Sequence, residues 1–415
     1  MESCAPADAL KTRMRRLPTL FAAQYAVNMW HIRRMDTPGP WIWQRPDWPA
    51  LRYDAGALAG RLADASRAIG RLHGRVATLH GGDRDRAALS ALTEDVLKSS
   101  AIEGERLDVD AVRSSLARRL GVDIGGQARV DRHVDGVVEM TLDATRNAAA
   151  PLTAARLQAW QAALFPTGRS GLVEIGVGRW RDDADGPMQV VSGPIGRQRV
   201  HFQAPPADRL DAEMARFLAW CEAPTDAPAL LKAGLAHLWF VTVHPFEDGN
   251  GRVARAVGDL MLSRADGEPY RYYSVSSQIQ AERDDYYRIL ERTQRDGLDV
   301  TAWLAWFLDC LLRAVRRSDD ELDRVLVKAM FWQRMAHVPL SERQVKALNK
   351  VLDEFEQPLT NRKWAALTRT SSDTALRDLR ALVDAGVLER TGAGGRSAAY
   401  WPVGVPMPAG GRDSR

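Results

Sequence analysis

The sequence predicts a mainly α-helical protein with a small β-hairpin in its middle and a winged helix-turn-helix domain towards its C-terminal end. Three observations lead there. Long stretches keep Leu, Ile and Val at three-to-four-residue spacing. Two β-prone runs, "MQVV" and "RVHF", flank a Gly-Pro turn, and from about residue 340 the pattern shifts to three short helices followed by strands around a glycine-rich tip. At 415 residues the chain exceeds one ordinary core, so two or three domains are expected. With 45% hydrophobic and 27% charged residues it reads as globular, and a net charge of +4 argues neither for nor against nucleic acid. Cys4, Cys221 and Cys310 lack metal-ligand spacing and suit a reducing, cytoplasmic setting. No apolar run approaches the roughly 20 residues that a bilayer span needs, so no membrane association is expected.

The elements follow in order. In residues 1–35 a basic cluster precedes a modestly apolar stretch, as in an export signal, but Pro18, Gln24 and Asn28 interrupt it; a disordered leader is expected. "WIWQRPDWPALRYD" reads as a loop anchored by tryptophans, and 54–120 as helices, with further helices near 130–146 and 153–164. After the hairpin, helices resume at 208–221 and 227–243; the latter is apolar nearly all round and therefore central. "GRVARAVGDLML", "AERDDYYRILERTQ" and "VTAWLAWFLDCLLRAVRRS" continue the helical pattern to about 335. The expected domains are a helical region over 36–125, a helical core over 126–320, the winged helix over 335–403 and a disordered Gly/Pro-rich tail over 404–415.

The chemistry concentrates in "HPFEDGNGRVAR", residues 244–255. Pro245 disfavours helical geometry at His244 and removes a donor, so the preceding helix should end there and present the imidazole from a loop. Gly249, Asn250 and Gly251 permit a turn whose N–H groups converge, and the helix starting near Gly251 adds its dipole, which makes an anion nest suited to phosphate. Arg252 and Arg255 lie one turn apart on one helix face and can fork onto further phosphate oxygens. Asp248 offers a hard oxygen for Mg²⁺ bridging those phosphates, and His244 is the natural general base for a hydroxyl attacking phosphorus. Phe246 is expected to pin the loop in the core. Each feature alone has an ordinary structural reading; their coincidence in fixed order points to nucleotidyl or phosphoryl transfer.

The stretch resembles the signature of the Fic family, His-Pro-Phe-x-Asp/Glu-Gly-Asn-Gly-Arg-x-x-Arg, at every specified position. "IWQRPDWP", "LTEDVLKSSAIEGE", "GRWR", the hairpin ending in "APP" and "DDYYRIL" extend the resemblance over roughly residues 40–310. It implies a Fic-type helical core that transfers AMP from ATP to a Ser, Thr or Tyr hydroxyl of a target protein or of itself. His244 would be the base, Asp248 the Mg²⁺ ligand, Gly249, Asn250 and Gly251 the α/β-phosphate cradle, and Arg252 and Arg255 the β/γ-phosphate clamps. Val200, His201, Phe202 and Gln203 resemble the family's flap, which lies over the nucleotide and holds the target segment by strand pairing. Tyr286, Tyr287 and Gln294 resemble positions lining the adenine and ribose pocket.

Residues 99–105, "SSAIEGE", resemble the family's inhibitory pattern Ser/Thr-x-x-x-Glu-Gly/Asn, with Ser99, Glu103 and Gly104 in place. That implies a class II protein, in which Glu103 pairs with Arg255 where the γ-phosphate must sit. Removal of AMP through the same site remains an alternative, as do donors other than ATP. So does a DNA-binding regulator whose pocket senses nucleotide, with Arg369 and Arg396 as phosphate contacts; its recognition helix, with Arg377 and Arg380 against Asp373, Asp378 and Asp384, is net acidic, and scaffold or homodimer contact serves the C-terminal domain at least as well.

Overall fold

The computed structural model describes residues 40–79, 81–124, 131–184, 186–194, 197–268, 270–354, 358–391 and 398–407. The expected leader, Arg396 with the glycine-rich tip, and the tail beyond 407 lie outside the described residues. The chain divides into two compact units, Met1–Val315 and Arg316–Arg415.

The first unit opens with the tryptophan-rich loop. Trp41, Trp43 and Trp48 are 6–7% exposed, and the Trp48 indole N–H donates to the buried Glu213 carboxylate at 3.0 Å. Then come α1 (Ala55–Ala77), α2 (Gly81–Ile102), α3 (Val109–Leu120), α4 (Arg132–Arg146) and α5 (Ala154–Leu164). Several starts are written in the sequence as caps: the side chains of Asp54, Asp108, Asp131 and Thr153 each accept a first-turn N–H. Gly136 lets α4 approach α5, since a Cβ there would lie 1.8 Å from the Ala163 carbonyl oxygen.

A short hairpin of β1 (Arg169–Ser170) and β2 (Val173–Glu174) precedes the central hairpin of β3 (Gln189–Ser192) and β4 (Arg199–Gln203). Pairing in the central hairpin runs Gln189 to Gln203 and Val190 to Phe202, then jumps to Val191 opposite Val200, so a bulge leaves His201 without a cross-strand partner. Next are α6 (Leu210–Glu222), α7 (Ala229–Val243), α8 (Asn250–Asp266), α9 (Val275–Ala281), α10 (Arg283–Arg295) and α11 (Thr301–Arg334). Helix α7 is buried from Leu230 to Val243 apart from Lys232 and packs along α8, the central place its all-round apolar face requires.

The second unit holds α12 (Glu342–Glu354), β5 (Leu359–Thr360), α13 (Asn361–Thr368), α14 (Ser372–Asp384), β6 (Leu388–Thr391) and β7 (Ala399–Pro402). Its antiparallel sheet has the order β5-β7-β6, and its core gathers Phe331, Leu348, Trp364, Leu379, Leu388 and Tyr400. Four elements differ from the sequence expectation. Strands β1, β2 and β5 have two residues each, too short for an alternation to register. Helix α9 has seven residues, rich in serine and glutamine, and depends on its Ser274 cap, which accepts from the Ser277 N–H at 3.0 Å.

Candidate active site

His244 is the C-cap of α7. Its backbone is left-handed (φ 51°, ψ 58°), an unusual state for a residue with a Cβ, and its N–H still closes the helix on the Phe240 carbonyl at 3.0 Å. Because the Val241 carbonyl can only accept, the contact at 3.1 Å requires His244 Nδ1 to carry a proton. Burial pushes the imidazole pKa down to about 4, with the Val241 hydrogen bond and Glu103 opposing and Arg181 assisting. The ring is therefore neutral near pH 7 and Nε2 keeps its lone pair, which is the state a general base needs.

The loop after His244 is held by its own side chains. Phe246 is fully buried against Phe240 and Trp180. Asn250 Oδ1 accepts from the Phe246 N–H at 2.9 Å, and its Nδ2 donates to the Phe246 carbonyl at 2.7 Å, so this side chain closes the turn. Gly249 is left-handed (φ 86°) and a Cβ there would meet Phe165 at 2.9 Å, so both conformation and space demand glycine. Helix α8 starts at Asn250, which directs its N-terminal dipole into the loop's concavity. Asp248 is half-buried; its Oδ1 accepts from the Gly249 N–H at 2.5 Å and its Oδ2 accepts from the Ser170 hydroxyl.

Arg252 and Arg255 come from the first turns of α8 and are 5% and 3% exposed. Arg252 Nε and Arg255 Nη1 are buried donors with no hydrogen-bond partner among the described residues. Buried orphan donors are costly unless something binds them, and two guanidinium groups beside a helix N-terminus match polyphosphate oxygens. The remaining donors face the turn that follows α2. Arg255 Nη2 lies 2.8 Å from Glu103 Oε1 and donates to the Ser99 carbonyl at 2.8 Å, while its Nε donates to Ser99 Oγ at 2.9 Å. Gly104 makes the left-handed turn at φ 83° that lets the chain leave. Glu103 also lies against Gly251, where a Cβ would sit 2.1 Å from its Oε1.

Glu105, two residues on, pairs its Oε2 with Arg252 Nη1 at 2.8 Å and its Oε1 with His133 Nε2 at 2.6 Å. The His133 hydrogen bond and the charges of Arg252 and His133 hold the Glu105 carboxyl low against the opposing effect of burial; the Glu105 bond in turn raises the His133 imidazole. Arg252 also stacks over Phe165, 5.0 Å from the ring centre.

The other predicted positions divide. Tyr287 Oη has no partner among the described residues, and burial first, then the Glu103 charge, raises its phenol well above the usual range. Tyr286 lies deeper, 1% exposed, its hydroxyl 2.9 Å from His237 Nε2 and its ring among Trp303, Trp306 and Tyr287. Gln294 is 5% exposed and donates to Thr242 Oγ1 at 3.2 Å, tying α10 to the last turn of α7. In the hairpin, Phe202 packs edge-on against Trp41 at 5.4 Å, and Gln203 Oε1 accepts from Gln189 Nε2 at 3.0 Å. His201 bridges Ser192 Oγ at 2.5 Å and Glu291 at 2.8 Å, and Arg295 donates to the Val200 carbonyl at 2.9 Å. Helix α10 thus fastens the hairpin beside the site.

Sequence reasoning missed four contributors: Ser170, Arg181, Glu105 and His133. The signal for Glu105 was its place two residues after Glu103; for Ser170 and His133, separated from the motif by more than seventy residues, no sequence signal existed. Among the described residues there is no group of three or more His, Cys, Asp or Glu that could hold a metal ion.

Parts of the chain are similar to known proteins. Residues 151–262 match the model of the Fic/DOC family, and residues 41–122 match a domain of unknown function, DUF4172. A protein adenylyltransferase Fic from Nematostella vectensis is 32% identical over 119 residues, 28% of this chain and 26% of that protein. A uridine 5'-monophosphate transferase from Xanthomonas campestris pv. campestris (strain 8004) is 36% identical over 92 residues, 17% of each chain. The chain thus spans about a quarter or less of these curated relatives. A crystal structure of a Fic family protein from Desulfovibrio desulfuricans G20 superposes with a TM-score of 0.50 at 23% identity, covering 85% of this chain and 97% of that one, which shows a shared fold. Residues 151–262, with the motif they contain, are thus a Fic/DOC family domain within this chain.

Proposed function

We propose that the site transfers a nucleoside monophosphate, AMP from ATP, to a Ser, Thr or Tyr hydroxyl of a protein, and that Glu103 restrains this activity. The observation that carries the reading is the pairing of a neutral His244, whose Nε2 keeps its lone pair, with the N-terminus of α8 and two arginines that each keep a buried donor unpartnered among the described residues. In the reaction His244 Nε2 takes the proton of the acceptor hydroxyl, whose oxygen attacks the α-phosphorus; the bond from that phosphorus to the bridging oxygen breaks and pyrophosphate leaves. Arg252 and Arg255 bind the β- and γ-phosphates, so they orient the leaving group and offset its charge. Asp248 would hold Mg²⁺, which supplies charge neutralisation between the phosphates. The central hairpin, held by Arg295 and Glu291, offers a strand edge for the acceptor segment.

Glu103 occupies Arg255 as the γ-phosphate would, so a triphosphate must displace it to bind productively. The relative named for uridine 5'-monophosphate transfer keeps a second donor in play, since phosphate contacts do not distinguish bases. The test is label transfer to protein from ATP and from UTP labelled at the α-phosphate, using wild type, Glu103→Gly and His244→Ala. Label on Glu103→Gly exceeding that on wild type, and none on His244→Ala, is the expected pattern. Absence of label with either nucleotide in all three proteins refutes the reading.

A further inference from the structure

Arg181 lies outside the motif, yet its side chain is fully buried and each of its guanidinium nitrogens donates a hydrogen bond, between the His244 loop and the central hairpin. Its backbone N–H donates to the Pro245 carbonyl at 2.9 Å. Its Nε donates to the His244 carbonyl at 2.8 Å, a group that a helix end would otherwise leave unsatisfied. Its Nη2 donates to the Pro205 carbonyl, two residues after β4 ends, where Ala204 still pairs with the Met188 carbonyl at 3.0 Å. Its Nη1 donates to Asp183 at 2.7 Å, and the other Asp183 oxygen accepts from the Ala207 N–H at 2.6 Å. One rigid plane thus joins the left-handed histidine to the root of the central hairpin. Lysine has the charge but not the fork, and cannot reach these acceptors together.

We propose that Arg181 is a positioning residue: its guanidinium plane locks the backbone of the His244 base to the root of the hairpin, so that the base and the strand presenting the acceptor hydroxyl keep a fixed separation. The proposal rests on the transfer reading above. An ångström of drift between base and hydroxyl costs on the order of 100-fold in rate. The nucleotide's own contacts, made by α8, are untouched.

The experiment uses the full chain carrying Glu103→Gly, with self-modification by α-labelled ATP as the readout and thermal melting to identify a variant that fails to fold. Arg181→Lys is expected to lower the saturated transfer rate about 100-fold while the KM for ATP stays within about two-fold, the acid limb of the rate profile being unmoved because the charge remains. Arg181→Gln is expected to lose rate similarly and to shift that limb to higher pH. The groups facing the imidazole are Arg181, Glu103 and the Val241 carbonyl, and in this background Arg181 is the charge that remains. Asp183→Asn, which leaves the arginine in place with a weaker partner, serves if both variants unfold, and a smaller loss of rate at unchanged KM for ATP is expected. A folded Arg181→Lys with the parent rate overturns the proposal, as does a Lys variant whose loss lies wholly in the KM for ATP, or, if both Arg181 variants unfold, an Asp183→Asn with the parent rate. Absence of transfer in the Glu103→Gly parent itself refutes the transfer reading instead.

Discussion

Replacing Glu103 with glycine removes the carboxylate from Arg255 while leaving that arginine its two bonds to Ser99. The size of the effect follows from the geometry. Unit charges about 4 Å apart at an effective dielectric of about 20 attract by about 4 kcal/mol. Glu103 keeps 28% of its side-chain surface exposed and the Arg255 side chain 2%, so desolvation and partial screening reduce the net coupling to about 2 kcal/mol. By linkage, an anion competing for the same guanidinium gains the same amount, about 30-fold in apparent affinity. Initial rates of label transfer against ATP concentration should therefore show kcat/KM about 30-fold above wild type. Glu103→Gln, which keeps the shape and removes the charge, should recover most of that gain. The lost charged hydrogen bond should cost roughly 1.5–3 kcal/mol of stability, read as a lower melting temperature. If both variants fold and transfer within about two-fold of wild type with ATP saturating or limiting, the competition argument is wrong.

Further outcomes follow from the same site. Because Glu105 still holds Arg252 when Glu103 is gone, Glu103→Gly/Glu105→Gln should lower the KM for ATP further than Glu103→Gly alone, measured in the same titration. Asp248→Asn should remove most of the Mg²⁺ dependence of transfer along with most of the rate, read by titrating the metal at fixed ATP. His244→Ala should abolish transfer yet leave ATP binding by calorimetry within about three-fold, since the phosphate contacts lie on α8. The Glu105–His133 pair should leave a mark on stability. His133 is raised from 6.5, so its contribution is full below that pH and is lost as pH rises through the folded value; Glu105 is lowered from 4.5, so its contribution is full above that pH and is lost as pH falls through its folded value. Denaturant unfolding of wild type against His133→Gln should differ most between pH 4.5 and 6.5; a constant difference across the range would contradict the pairing.

What the sequence disclosed of this site depended on how local the physics was. His244, the Gly249–Gly251 turn and the two arginines act within twelve consecutive positions, where proline, glycine and helix periodicity dictate geometry directly. The chief helices were legible for the same reason, down to caps such as Asp54 and Thr153. Contacts made across the fold were not. That Ser170 reaches Asp248, or that His133 backs Glu105, depends on how β1 and α4 pack, which no spacing encodes. The amide of Asn250 is instructive. Its place in the motif suggested a role towards phosphate, whereas both of its polar groups are taken by the Phe246 backbone, so its side chain shapes the loop. Phe202 likewise packs on Trp41, in the tryptophan-rich loop that precedes α1, a contact invisible in the alternation of β4.

On the proposal that Glu103 restrains this site, the arrangement of charges lets it do so without dismantling the site. Glu103 acts on Arg255 directly, raises the His244 imidazole and raises the Tyr287 phenol. A γ-phosphate placed on Arg255 would bring negative charge to the same neighbourhood, so exchanging one anion for the other leaves the field at the base largely as it was. On the same proposal the carboxylate can depart through the turn at Glu103, with His244 still held by its own contacts to Val241 and Phe240. That turn is built to move at modest cost: Glu103 is nearly a third exposed, its chain reverses at Gly104, and the Ser99 contacts hold Arg255 in place when the carboxylate leaves. Restraint and catalysis are thus separable by residue, and a substitution at Ser99, which steadies Arg255 in both states, should weaken nucleotide use even where Glu103 is absent. Ser99→Ala in the Glu103→Gly protein should raise the KM for ATP several-fold, and an unchanged KM would mean that the Ser99 carbonyl and α8 hold Arg255 without the hydroxyl.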